Sequence, residues 1–213
     1  MGREALASPA STPAVDAGIE EAVIAAKDHV IENPISKERI VIRKTSAETG
    51  GDLLEWELIL APGGRVPSSH VHPEQQERFT VVDGRMDFRI GGRKRTVGPG
   101  ESVTVEPGSV HSFANTGRIP AHVLVQTRPA LDMEALLEMA AALAQEQHAA
   151  ARRVPRLLDL MLFMADFERE VRAPYLPVTL ARAVTRPLAR LAGSHGRDAR
   201  YRRLRHQSGR AEG

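Results

Sequence analysis

The sequence predicts a mainly β chain, a single sandwich or barrel over residues 28–130 followed by an α-helical extension over 131–213. Two observations predict it. Between His29 and Thr127, short runs of alternating apolar and polar residues recur between Gly- and Pro-containing turns, the pattern of an all-β sandwich or barrel. After Pro129 the apolar residues recur at helical spacing instead. With 213 residues, 42% hydrophobic and 26% charged, the chain fits one medium-sized globular domain with extensions.

In chain order, Met1 to about Val15 is an Ala/Ser/Thr/Pro arm expected to be flexible, and Asp16 is placed to cap a short helix to about Lys27 with Ile19, Val23 and Ile24 on one face. His29–Glu32 and Arg39–Lys44 flank Asn33-Pro34 as a hairpin. Leu53 to Leu60 is a strand whose alternation puts Leu54, Trp56, Leu58 and Leu60 on one face and Glu55 and Glu57 on the other. Met86–Ile90 and Arg93–Val97 form a second hairpin about Gly91-Gly92. Ser102–Val105, Val110–Ala114 and Ala121–Thr127 complete the strands, which end near Arg128-Pro129.

Helices are expected over Leu131–Glu146, Pro155–Arg172 and Pro177 to about Leu191. The second carries Leu157, Leu158, Leu160, Met161, Met164 and Phe167 as a broad apolar stripe, expected to be buried on the barrel or in a dimer. From Arg172 onward ten arginines face only Asp198 and Glu212, so this run is strongly basic, and the tail that ends the helical extension is expected to be disordered. It holds one aromatic, Tyr201, and no recognition helix or zinc finger, so nucleic acid is not expected as a partner.

Two stretches carry the chemistry. Gly64 to Gly84 reads G-x5-H-x-H-x4-E-x6-G, and Gly100 to Asn115 supplies G-x7-G-x2-H-x3-N. In a strand, His70 and His72 project the same way and Val71 the other. Glu77 opens a run in which Phe79 and Val81 share its face, while Arg78, Thr80 and Val82 face away. His111 arrives from a distant segment. Three imidazoles and one carboxylate, His70, His72, Glu77 and His111, suit one divalent ion such as Fe, Mn, Ni, Co or Zn, and leave up to two positions free on an octahedral ion.

These residues resemble the two signature motifs of the cupin superfamily, small jelly-roll β-barrels that often bind a divalent metal through three His and one Glu. The first motif agrees at Gly64, His70, His72, Glu77 and Gly84; the second agrees at Gly100, Gly108, His111 and Asn115, with Glu106 where the family usually has proline. The short spacer from Arg85 to Pro99 is similar to that of bacterial single-domain members. The resemblance implies a metal site and a homodimer, and implies that Asn115 fastens a turn. It does not name a substrate.

The expected pocket residues are Phe79, Val81 and Phe113, with Trp56 a weaker candidate. Apolar neighbours beside a metal favour a small hydrophobic or aromatic enol- or phenol-like substrate. Three functions fit: an oxygenase, for which Fe is the expected ion; a metal-assisted isomerase, cyclase or hydro-lyase; and a non-catalytic ligand-binding or sensor protein. Acid–base candidates are Glu55, Glu57, His122 and Gln126, and Glu106 is a candidate gate. The absence of cysteine excludes disulfides and thiolate ligands and makes a reducing cytoplasm the natural compartment. The N-terminus lacks the apolar core of a secretory signal, which argues against a secreted germin-like oxalate enzyme, and no apolar run approaches the length of a membrane span.

Overall fold

The structure, a computed structural model, describes residues 29–66, 68–151, 156–175, 178–194 and 198–208. The expected arm and its helix from Asp16 lie outside these residues. The strands are β1 (Val30–Asn33), β2 (Glu38–Lys44), β3 (Leu54–Leu60), β4 (Gln76–Asp83), β5 (Met86–Ile90), β6 (Arg93–Val97), β7 (Ser102–Val105), β8 (His111–Ala114) and β9 (Ala121–Arg128). They form two antiparallel sheets, ordered β1-β2-β3-β9-β4-β7 and β6-β5-β8. Among the described residues four helices follow: α1 (Met133–Ala149), α2 (Leu157–Asp166), α3 (Val178–Ser194) and α4 (Ala199–Ser208). The chain is thus mainly β, a jelly-roll barrel with C-terminal helices. None of the described helices is long and apolar enough to cross a membrane.

Strand alternation sorts the side chains. Leu54, Trp56, Leu58 and Leu60 are buried against Val123 and Val125, while Glu55 and Glu57 point to the other face. That outer face carries a polar ladder: Arg43 donates to Glu57 at 2.8 and 3.1 Å, His122 Nε2 lies 2.9 Å from Glu57, and Gln126 donates to Glu55 at 2.6 Å. Inside, Phe79, Phe88 and Phe113 pack ring on ring, with centroids 5.1, 5.6 and 6.2 Å apart. These spacings lie in the favourable range for tilted aromatic pairs.

Two motif glycines answer to sterics. A Cβ on Gly64 would lie 2.6 Å from Leu60 Cδ1 and 2.8 Å from the Ala61 carbonyl. Gly84, at φ +72°, would bring a Cβ within 2.5 Å of the Pro120 carbonyl and 2.9 Å of Ala121 Cα. Gly84→Ala is therefore expected to cost about 2 kcal/mol, the scale of a non-glycine residue forced into the left-handed region. An unchanged urea midpoint would show that the β4–β5 turn yields freely. Asn115 is buried; its Nδ2 donates to the carbonyls of Leu60 and Ile119, both at 2.8 Å, and its Oδ1 accepts from Gly117 N at 2.8 Å. It fastens the turn after β8.

The helical extension departs from the periodic reading in three ways. The second helix ends at Asp166 rather than Arg172, because Arg172 leaves helical geometry to pair with Val71 across a β-bridge. Its apolar stripe is not wholly buried: Phe167 is covered, whereas Leu157 is 71% and Leu160 42% exposed, and Leu162, outside the expected stripe, is buried instead. The third departure is the tail. Residues 199–208 are α4, held by Tyr201, which is buried, by Arg200 pairing with Glu146 and Asp159, and by Arg205 lying 4.5 Å over the Phe167 ring. Local charge repulsion favours disorder, but partners on α1 and α2 outweigh it. Met133, Leu136, Met139, Leu162, Phe167 and Tyr201 continue the barrel's hydrophobic core into the extension.

Candidate metal centre

Three segments bring the candidate ligands together. His70 and His111 face each other in an antiparallel bridge, with His70 N donating to His111 O at 3.0 Å and the reverse bond at 2.9 Å. His72 follows on the same side, its carbonyl accepting from Gly108 N at 2.8 Å. Glu77 is the second residue of β4, paired to Val105 on one edge and Thr127 on the other. The ligand atoms of His70, His72, Glu77 and His111 all lie within 4.8 Å of one another, and all but His70 are buried.

The imidazoles are oriented by backbone carbonyls. Nδ1 of His70 lies 3.2 Å from Ser68 O, that of His72 2.5 Å from Glu170 O, and that of His111 3.1 Å from Ser109 O. A carbonyl only accepts, so each Nδ1 carries the hydrogen and each neutral ring presents an Nε2 lone pair. This support of the far ring nitrogen is the arrangement that metal-binding histidines use. His72 Nε2 and His111 Nε2 then converge on one carboxylate oxygen, Glu77 Oε2, at 3.2 and 3.3 Å. Among these buried atoms His111 Nε2 makes no hydrogen bond. Lone pairs of two rings and a carboxylate oxygen cannot share so small a space unless a proton or a cation enters. The donor set therefore fits a divalent ion.

The electrostatics agree. Burial, then the imidazoles of His111 and His72, pushes His70 down to about 3, so this ring is neutral. Burial also opposes charge on His72, but the Glu77 carboxylate and the Glu170 carbonyl outweigh it and raise its pKa. For Glu77, burial raises the pKa, yet His72 and His111 together hold it well below the usual carboxylate range. Without an ion, a proton on His72 takes the cation's place.

The other expected site residues fall into two groups. Phe79 and Val81 follow Glu77 on the same face of β4, and Phe113 follows His111 on β8; all three are buried in the core. Trp56 is buried on β3, with Nε1 3.4 Å from Thr127 Oγ1, opposite Glu77 in the register. Glu55, Glu57, His122 and Gln126 lie on the outer face and do not join the ligands. Glu106 is exposed and accepts from Gln76 Nε2 at 3.0 Å. Sequence reasoning missed the supporting carbonyls of Ser68, Ser109 and Glu170, since a backbone acceptor leaves no mark in side-chain identity. It also missed Gln75, which is fully buried and donates to the carbonyls of Pro129 and Ala130 at 3.0 and 2.8 Å.

Comparisons with known proteins bear on the same segment. Residues 56–127 match the family model described as Cupin domain. Over 70 residues the chain is 31% identical to the tetracenomycin polyketide synthase protein TcmJ of Streptomyces glaucescens, covering 33% of this chain and 46% of that protein. The match thus spans less than half the length of this curated relative. Among solved structures, an RmlC-like cupin from Shewanella frigidimarina is similar at 14% identity and TM-score 0.44, over 52% of this chain and 91% of that one. KdgF from Halomonas sp. is similar at 20% identity and TM-score 0.40, over 45% and 82%.

Proposed function

We propose, on the premise that residues 56–127 belong to the cupin family, that this chain is a metal-dependent oxygenase acting on a small hydrophobic or aromatic enol- or phenol-like substrate. The observation that carries its metal dependence is the convergence of His72 Nε2 and His111 Nε2 on Glu77 Oε2, with His70 within reach of the same point. A divalent ion bound there would polarise an enol or phenol oxygen and, if it is redox-active iron, would activate dioxygen in the positions the four protein ligands leave free. The chain's own residues would do the rest. Glu77 supplies a fixed negative charge, the three carbonyl-anchored rings set direction, and Phe79, Val81 and Phe113 are the apolar residues next to the ligands on their strands. Such walls exclude water and favour an apolar substrate.

The substrate class draws support from the Streptomyces relative, which is by name a polyketide synthase protein. Polyketides are rich in enolisable carbonyls and phenols. That same kinship favours a second reading, a metal-assisted cyclase or isomerase in which a redox-inert ion stabilises an enolate without consuming oxygen. Turnover of a phenolic or β-diketone substrate by the iron-loaded protein is expected to stop under anaerobic conditions and to consume O2 in air. Undiminished turnover without O2 eliminates the oxygenase and leaves the cyclase.

A further inference from the structure

The strand edge that carries His70 and His72 is not bare: a segment from outside the barrel lies along it. Val71 N donates to Arg172 O at 3.0 Å, and Arg172 N donates back to Val71 O at 2.9 Å. One residue on, the Glu170 carbonyl receives His72 Nδ1 at 2.5 Å. Arg169 reaches further along the same stretch and grips Glu74 with two bonds, 3.2 and 2.8 Å. The Glu170 side chain is buried, and its Oε1 accepts from Asp132 N at 3.3 Å, at the start of α1.

The other side of this segment is tied to the helices. Phe167 is fully buried beneath Arg205 of α4. Glu168 receives Arg182 at 3.0 and 3.2 Å and Arg186 at 2.7 Å, both from α3, while its carbonyl accepts from Arg172 Nε at 2.8 Å. The segment therefore touches a metal-ligand ring with one side and two helices of the extension with the other.

We propose that Phe167–Arg172 is a strap through which the helical extension positions His72, so that strap docking and metal affinity are coupled. The proposal rests on the metal reading above for its consequence, but the orientation of His72 stands on geometry alone. With the strap docked, the Glu170 carbonyl accepts only from Nδ1–H, which leaves Nε2 for the ion. With it displaced, the ring is free to take the other tautomer or turn, and the ion loses a preset ligand. Coupling is reciprocal: whatever strengthens docking strengthens ion binding, and the ion in turn tightens the strap. Glu170, acting through His72, is a positioning residue. An agent that pulls α3 away from Glu168 would weaken the metal site from outside the barrel.

Arg172→Pro removes the amide donated to Val71 while leaving every ligand in place. In the metal-free full-length chain, at a pH high enough for the His72 ring to be neutral, it is expected to speed amide exchange at Val71 and to mix the Nε2–H form into the His72 nitrogen resonances, which in the parent protein then report Nδ1–H. Its affinity for Co(II) should fall about 10- to 100-fold, the usual cost of losing a ligand's support. Arg169→Gln with Glu74→Gln, which opens the clasp without touching the backbone, should move the same three readouts in the same direction and serves if the proline variant does not fold. Faster exchange at Val71 with an unchanged His72 tautomer and parental Co(II) affinity overturns the proposal. If the parent protein takes up no Co(II), the metal reading fails, and the His72 tautomer in the same variants still decides whether the strap positions the ring.

Discussion

Replacing His111 with alanine is expected to remove tight metal binding, with affinity for Co(II) or Zn(II) falling by more than about 100-fold, beyond the ~10–100-fold seen when only a supporting residue is lost. His111 is almost fully buried, its Nδ1 is anchored on Ser109 O, and its Nε2 has no hydrogen-bond partner. Nothing nearby in the β8 strand substitutes for it, since Ser112 faces away and Phe113 carries no donor. The cavity left by the ring complicates the reading, so Glu77→Gln is the companion variant. It keeps the side-chain volume but removes the charge on which His72 and His111 converge, and is expected to weaken the ion by a similar factor. Isothermal titration of both variants checks this. Parental affinity in the two together would mean that the cluster is not the metal site.

The second large effect is a pH-dependent one. In the metal-free protein the Glu77 carboxylate, working against burial, raises the His72 pKa. The charged pair therefore contributes stability that is fully present below the unfolded imidazole value of about 6.5 and is lost as pH rises through the raised folded value. An ion needs the neutral ring, so it must displace this proton, and its affinity is expected to fall about tenfold per pH unit for each proton displaced below that raised value. His70 acts in the opposite sense. Burial and then its two imidazole neighbours hold it near 3. Between the unfolded value of about 6.5 and that depressed one the unfolded chain binds a proton that the folded chain refuses, so acid weakens the fold across this window. The stabilisation given by Co(II) should accordingly grow as pH rises from below the unfolded imidazole value of about 6.5 through the raised folded value of His72, because it follows the ion's affinity through mass action. Differential scanning calorimetry with and without Co(II) measures it. A thermal shift that is flat across this range would show that the ion displaces no proton from His72.

These two experiments probe residues that are legible in the sequence. His70, His72, Glu77 and His111 stand at motif spacing, and the alternation of Glu77, Phe79 and Val81 on β4 follows from the two-residue period of a strand. Gly64 and Gly84 are visible only as motif positions; that a Cβ there would clash emerges from the folded turns. The extension was less legible. Leu157 and Leu160 belong to a helical stripe by spacing, yet they are exposed, because which part of a stripe is covered depends on how neighbouring helices dock. The period continues past Asp166, but the chain leaves the helix to pair Arg172 with Val71, 101 positions earlier in the numbering, and no local pattern announces that bond. The arginine-rich residues 199–208 read as tail and fold as α4 because Glu146, Asp159 and Phe167 wait for Arg200 and Arg205 on other helices.

By itself, then, the sequence determined the strands, the faces along each of them and the four candidate ligands, since these depend on periodicity and spacing within short windows. Tertiary structure alone decided what orients the ligands. The carbonyls of Ser68, Ser109 and Glu170 are chemically the same in every residue, and only the fold brings Glu170 across 98 positions to His72. A backbone acceptor has no side-chain signature, so its role becomes visible only when the distance is known.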